Sequence, residues 1–243
     1  MFKALISNDQ AMTVVITIVL INCSLYITSN LLIYFFKYDI GGAGWNANYV
    51  LFNTFGGGIQ IISMMLFYPL FRKFISAMQV FYVSFVMAIG GYAVLLALMF
   101  TNHTNIYILM IPGFFIFTAF GMLTVLTTVF LANTVDYGEL KNNRRDESVI
   151  FSMQTFVVKL ASGVAAMIAS ICLTISNISN DTSTEAAAMV SDSYTSVAVL
   201  RMTMTVLPII GLLVAVFIFA KKYILTDEKL GEINQELAHR HKA

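Results

Sequence analysis

AMQVFYVSFVMAIGGYAVLLALMF, residues 77–100, carries no Asp, Glu, Lys or Arg in 24 positions. As a helix it would rise about 36 Å at ~1.5 Å per residue, enough to cross a hydrocarbon core of roughly 30 Å. It is too long for a barrel strand and shows no strict alternation. Backbone polar groups in lipid must be satisfied within the segment, which selects a helix.

Five more stretches read the same way: Ala11–Phe36, Asn48–Phe71, Asn105–Thr134, Val149–Ser176 and Ser196–Ala220. Polar or charged breaks separate them at Lys37–Asn46, Arg72–Ser76, Thr101–Thr104, Val135–Ser148 and Asn177–Thr195. The expectation is an all-α integral membrane protein, with a six-helix transmembrane domain over residues 1–225 and a cytoplasmic tail over 226–243.

Composition supports that class. Of 243 residues, 58% are hydrophobic and 11% charged, against roughly 25% charged in a soluble domain. Mean hydropathy is +0.81, so most of the surface cannot face water. The net charge of +1 supplies no basic field for nucleic acid. Cys23 and Cys172 both fall in apolar runs, so they read as small hydrophobes rather than a disulfide or metal pair. Met1–Gln10 holds Lys3, Asn8 and Asp9, and the apolar run after it is too long for a signal peptide.

Position of charge sets the orientation. With the N-terminus inside, inner segments carry Lys3, Arg72, Lys73, Lys141, Arg144, Arg145, Lys221, Lys222, Lys229, Arg240 and Lys242. Outer segments carry Lys37, with Arg201 near the outer start of the last helix. The Asn177–Thr195 loop holds Asp181, Glu185 and Asp192 and no base. The positive-inside rule then places both termini in the cytoplasm, in a plasma (inner) membrane. In the tail, Leu230, Ile233 and Leu237 have helical spacing, which fits an amphipathic surface helix or a solvated tail.

Lys159 is the most informative residue. It sits roughly 11 residues into the fifth stretch, about 16 Å deep. An exposed charge there costs at least ~2.5 kcal/mol. All thirteen acidic residues fall in loops, tails or helix ends. Either Lys159 is neutral, or it faces a watery cavity, or its carboxylate comes from another chain. Ser148, Ser152, Thr155, Lys159, Ser162, Ala166 and Ser170 form one small or polar stripe, which suits a pathway or a packing face.

Other helices offer polar faces too: Asn22, Tyr26 and Asn30 on the first, Asn53, Gly56, Gly57 and Gln60 on the second, Thr118, Gly121, Thr124 and Thr128 on the fourth. Such amides and hydroxyls suit a sugar, whose hydroxyls both donate and accept, and equally suit interhelical hydrogen bonds. Pro112 and Pro208 are expected to kink their helices. After the fourth stretch, Asp136, Glu139 and Arg145 crowd what reads as a loop with Gly138 at its turn. These three suit a gate whose ion pairs break and re-form. Lys141 and Asp146 read as solvated.

The run ANTVDYGELKNNRRDESVIFSMQTFVVKL, residues 132–160, resembles the signature of the glycoside-pentoside-hexuronide:cation symporters, typified by melibiose permease. Its features are D-Y-G-E, a base nine residues after the Asp, and Q-T-x-V-V-K in the next helix. The likeness runs end to end, and Ser7–Gln10 resembles the segment before the family's seventh helix. It implies helices seven to twelve of a major facilitator fold, one half of a whole, with a nested three-plus-three repeat. It also implies roles. Lys159 would lie beside the sugar and cation sites, Gln154 and Thr155 near the substrate cavity, and Asp136 and Arg145 in a cytoplasmic network that holds the outward-facing state shut. Asn133 and Thr124 depart from the family type, which has an aspartate and a tryptophan there. The implied function is sugar transport coupled to Na⁺ or H⁺, with no cofactor and no catalytic residues.

In these symporters the principal acidic sugar and cation ligands lie in the first six helices. The chain is therefore expected to need an N-terminal six-helix half, besides the lipid bilayer and the sugar. Two alternatives stay open: a homodimeric six-helix transporter or pore, and a truncated fragment inactive alone. A homodimer would bring two Lys159 together without an acid. A membrane enzyme is disfavoured, because the chain has no HExxH, no buried acid pair and no Cys/His cluster; His103 falls in an outer loop, and His239 and His241 in the tail.

Overall fold

The computed structural model describes residues 7–101, 105–176, 178 and 194–240. Lys3, His103, Asp181, Glu185, Asp192, His241 and Lys242 lie outside the described residues. Among the described residues, six helices are long and apolar enough to cross a membrane: α1 (Asp9–Ile40), α2 (Trp45–Phe74), α3 (Ala77–Phe100), α4 (Ile106–Asn142), α5 (Glu147–Ile175) and α6 (Tyr194–Lys222). A seventh helix, α7 (Asp227–Arg240), comes after them. The protein is an all-α membrane protein.

Two of the spans change pitch. In α1 the segment Phe35–Ile40 is π-helical, and the Gly41 amide donates to Phe36 O, five residues back, at 3.1 Å. In α2 the π segment is Ser63–Phe67. Each π turn rotates the residues after it relative to a regular helix.

α1 is central. It packs against α4, α5 and α6, while α3 fills the space between α4 and α6, and α2 lies against α4. Lipid gives helices no hydrophobic drive to associate, so shape and hydrogen bonds must do it. One aromatic cluster ties α3, α4 and α6: Phe81 lies 5.3 Å from Phe130 and 4.2 Å from Phe219 between ring centroids, and Phe219 stacks on Tyr223 at 4.4 Å. Such pairs are each worth about 0.5–1.5 kcal/mol beyond their burial.

Pro208 shows how the packing absorbs a helix breaker. Proline lacks the N–H that would bond Met204 O, four residues back. Thr28 Oγ1 of α1 takes that carbonyl at 3.0 Å and also meets the Tyr92 hydroxyl of α3 at 2.8 Å. One threonine thus joins α1, α3 and α6. α4 stays continuous through Pro112 and α6 through Pro208.

The fourth span corrects the sequence reading. The polar sequence predicts a loop after Thr134, yet α4 runs on to Asn142, 37 residues or about 55 Å in all. A single glycine costs a helix only about 1 kcal/mol, too little to stop it. The stop comes at Asn143, in left-handed conformation at φ 52°. Gly138 is therefore a contact rather than a turn. A Cβ there would come 2.5 Å from Asn8 Nδ2, which donates to Thr134 O at 2.7 Å. Asn8 also caps α1 by accepting from the Ala11 amide.

The tail is helical. Ile233 and Leu237 of α7 are buried, and Arg240 donates to Leu140 O at 3.2 Å and Asn143 Oδ1 at 2.8 Å. These bonds satisfy groups at the C-terminal end of α4. The start of α1 and the end of α6 meet at this end of the bundle, where Gln10 bonds Lys222 O and the Ile224 amide.

Candidate functional site

A cavity of about 470 Å³ opens between four helices. α1 and α4 form its back wall, with Asn22, Tyr26 and Ser29 from α1 and Phe117, Thr124 and Thr127 from α4. α2 contributes Asn53, Gly57 and Gln60 on one flank, and α5 contributes Gln154 and Val158 on the other. Asn53, Gly57 and Thr124 are exposed, so this chain does not close the cavity by itself. Its size and its mix of apolar walls with a few polar groups suit a small organic ligand.

Helical spacing explains the lining. Asn22 and Tyr26 are four apart on α1, and Gln154 and Val158 four apart on α5, so each pair shares a face. α2 is brought close by Gly121 of α4. A Cβ there would lie 2.7 Å from Gln60 O, a backbone atom with no rotamer to yield. Ser63, at the start of the π segment, donates to Thr118 O at 2.6 Å beside it.

Five of the polar residues expected from the stripes line this cavity: Asn22, Tyr26, Asn53, Gln60 and Thr124, together with Gln154 from the Q-T-x-V-V-K run. Thr118 and Gly121 instead pack against α2, and Thr128 accepts from Gln154 Nε2 at 3.0 Å. Ser29 and Thr127 escape the sequence reading, since each lies one position off its stripe.

Lys159 and Thr155 stand outside the lining, on an exposed strip of α5. Twelve residues separate Lys159 from the helix start at Glu147, about 18 Å of rise and near mid-span. Among the described residues no ion pair involves it. α5 has three faces. Ile150, Met153, Val157, Ala161, Ala165 and Ala169 are buried; Phe156, Leu160, Val164, Met167 and Ile171 form an exposed apolar strip. The third face, Ser152, Thr155, Lys159, Ser162, Ala166 and Ser170, is exposed and small or polar.

At the end of the bundle that carries α7, one guanidinium gathers three carboxylates. Arg145 Nη1 meets Asp136 Oδ1 at 3.1 Å and Glu139 Oε2 at 2.8 Å, and Nε meets Glu147 Oε2 at 3.1 Å. Bonds to Glu139 and then Glu147 hold Arg145 even more firmly protonated than usual. The helical continuation of α4 places Asp136 and Glu139 three apart, on one side facing Arg145. Lys141 and Asp146, read as solvated, are both paired: Lys141 with Asp9 at 2.6 Å, Asp146 with Arg144 at 2.7 Å.

At the opposite end, Arg201 of α6 and Asp39 of α1 form a bidentate pair, Nε–Oδ2 at 2.8 Å and Nη2–Oδ1 at 2.6 Å. Their side chains are only 10% and 5% exposed. The Phe100 ring lies 5.8 Å from the guanidinium carbon. Among the described residues no three His, Cys, Asp or Glu side chains converge as a metal ion would need.

A six-span helical bundle around an open polar cavity is a transporter architecture, half of a major facilitator fold. The MFS/sugar transport protein family matches residues 1–227, and the chain belongs to that family. It is 28% identical over 242 residues to the raffinose carrier protein of Pediococcus pentosaceus, covering 97% of this chain and 35% of that protein. Similarity to the lactose permease of Lactobacillus delbrueckii subsp. bulgaricus is 30% over 240 residues, 97% of this chain and 36% of the permease. An uncharacterized symporter of Bacillus subtilis is 24% identical over 237 residues, 97% of this chain and 48% of the symporter. The chain thus spans between about a third and a half of the relatives it matches. The resemblance carried by D-Y-G-E and Q-T-x-V-V-K is borne out at the level of a melibiose permease-like sugar symporter.

Proposed function

We propose that this chain forms one wall of a sugar pathway in a cation-coupled symporter, and that a second six-helix half completes the pathway. The observation that carries it is the cavity of about 470 Å³, lined by neutral amides and hydroxyls from four helices and left open by this chain. Relatives named for raffinose and lactose support a sugar as cargo. Lys159 supports the second half. A lysine exposed at mid-span costs at least ~2.5 kcal/mol if lipid covers it, so protein or water must.

In this reading Na⁺ or H⁺ drives uptake, both termini lie in the cytoplasm of a plasma (inner) membrane, and the Asp136–Glu139–Arg145 cluster belongs to the cytoplasmic gate. Transport needs no bond-making, and the residues are arranged to bind and release.

A thiol at the cavity tests the wall. In a Cys23→Ala background, where Cys172 is buried, Thr124→Cys should react with maleimide. A bound glycoside at ten times its Kd should slow that labelling about tenfold. A rate indifferent to every sugar would overturn the reading.

A further inference from the structure

α6 carries a groove that the transport cavity does not use. Its volume is about 490 Å³, and its lining is Leu213, Val214, Val216, Phe217 and Ala220, all apolar. Phe217 is 58% exposed and Leu213 49%. From Leu213 to the helix end at Lys222 is nine residues, about 14 Å of rise and half of a hydrocarbon core of roughly 30 Å. The groove therefore has the depth of one leaflet, on the side that carries α7.

Lys221 stands at the shallow end of the groove. Its Nζ lies 4.4 Å from the centroid of the Phe217 ring, four residues back, so the ammonium folds back over the groove. A lysine at the end of a span ordinarily extends toward the aqueous interface. Among the described residues no carboxylate pairs with Lys221. Lys222 points about 100° away around the helix. Its carbonyl accepts from Gln10 of α1.

The second half is needed at the cavity, whose lining comes from α1, α2, α4 and α5 and includes no residue of α6. A second copy of the chain about a two-fold axis would set Lys221 against its own counterpart with no acid between them. An anionic phospholipid matches both parts, with a chain for the groove and a phosphate for the ammonium. We infer that this groove holds an anionic phospholipid of the leaflet on the α7 side, its acyl chain along residues 213–220 and its phosphate on Lys221. A zwitterionic lipid fills the same groove but brings its own cation to the lysine. The groove and its lysine are the same whatever the cavity carries.

Trp45 is the single tryptophan of the chain. In a Trp45→Phe, Phe217→Trp variant the indole keeps an aromatic face beneath Lys221 and reports on the groove. Nanodiscs of phosphatidylcholine and phosphatidylglycerol with identical chains, brominated on one lipid at a time, measure which lipid quenches it. The expected result is phosphatidylglycerol preferred by roughly fivefold, the worth of one lysine at a membrane surface. Lys221→Gln should abolish the preference. Lys222→Gln, which removes the same charge one residue away, should leave it. Equal quenching by the two lipids before either lysine is changed would overturn the assignment. So would an equal loss in the two lysine variants, which marks a general surface charge, or an indole that neither lipid quenches, which marks a protein partner on this face.

Discussion

Asp39→Ala should lower the unfolding temperature of the purified protein by roughly 6–20 °C, the equivalent of about 3–5 kcal/mol in a chain of this size. The reason is the charge left behind. Arg201 is 10% exposed and bonds Asp39 through two nitrogens at 2.8 and 2.6 Å. With Asp39 replaced, the guanidinium stays buried and loses the carboxylate that its Nε and Nη2 both bond. Replacing both residues together, Asp39→Leu with Arg201→Met, should recover most of the loss, because a buried ion pair is often no better than an apolar pair of similar volume. Thermal unfolding in detergent would check both. A single variant within 2 °C of the parent would mean that the pair does not hold α1 to α6.

Lys159→Ala should separate folding from transport. In an intact transporter reconstituted with this chain, coupled sugar uptake should be abolished. Stability and membrane insertion should hold or improve, since removing a mid-span charge relieves at least ~2.5 kcal/mol of insertion cost. A purely structural lysine would show the reverse, with uptake surviving per folded molecule. Uptake assays normalised to folded protein in the bilayer read both quantities. Normal coupled uptake in the variant would remove Lys159 from the pathway.

The spans are legible in the sequence because length and apolarity alone decide them, as residues 77–100 show. Much of the cavity is legible too. Asn22, Tyr26, Asn53, Gln60, Thr124 and Gln154 stand out as amides, hydroxyls and one phenol at helical spacing in otherwise apolar runs, and all six line it. The depth of Lys159 can be read, but not its direction. One position on α5 turns a side chain about 100°, and the buried alanines that set the helix's rotation, Ala161, Ala165 and Ala169, look alike in sequence to the small residues of the exposed strip.

Other features are hidden by events that leave no local signal. The π turn at Phe35–Ile40 carries Asp39, which reads as part of an outer loop, into contact with Arg201, 162 residues away. The Asp136–Glu139 segment resembles a loop because it is polar. It stays helical because Val135 and Gly138 are buried and Arg240 of α7 bonds the Leu140 carbonyl near its end. Thr28 resembles any hydroxyl in a span, yet it satisfies the carbonyl that Pro208 leaves open, 176 residues on.

The central claim is that this cavity is one wall of a sugar pathway completed by a second half. The most direct test is uptake of radiolabelled β-glucosides into vesicles carrying this chain, with and without a co-expressed N-terminal six-helix half from a related symporter. Uptake that tracks a Na⁺ or H⁺ gradient only when both are present is the predicted result. Gradient-driven uptake by this chain alone, as a homodimer would give, or no uptake in either vesicle, would contradict it.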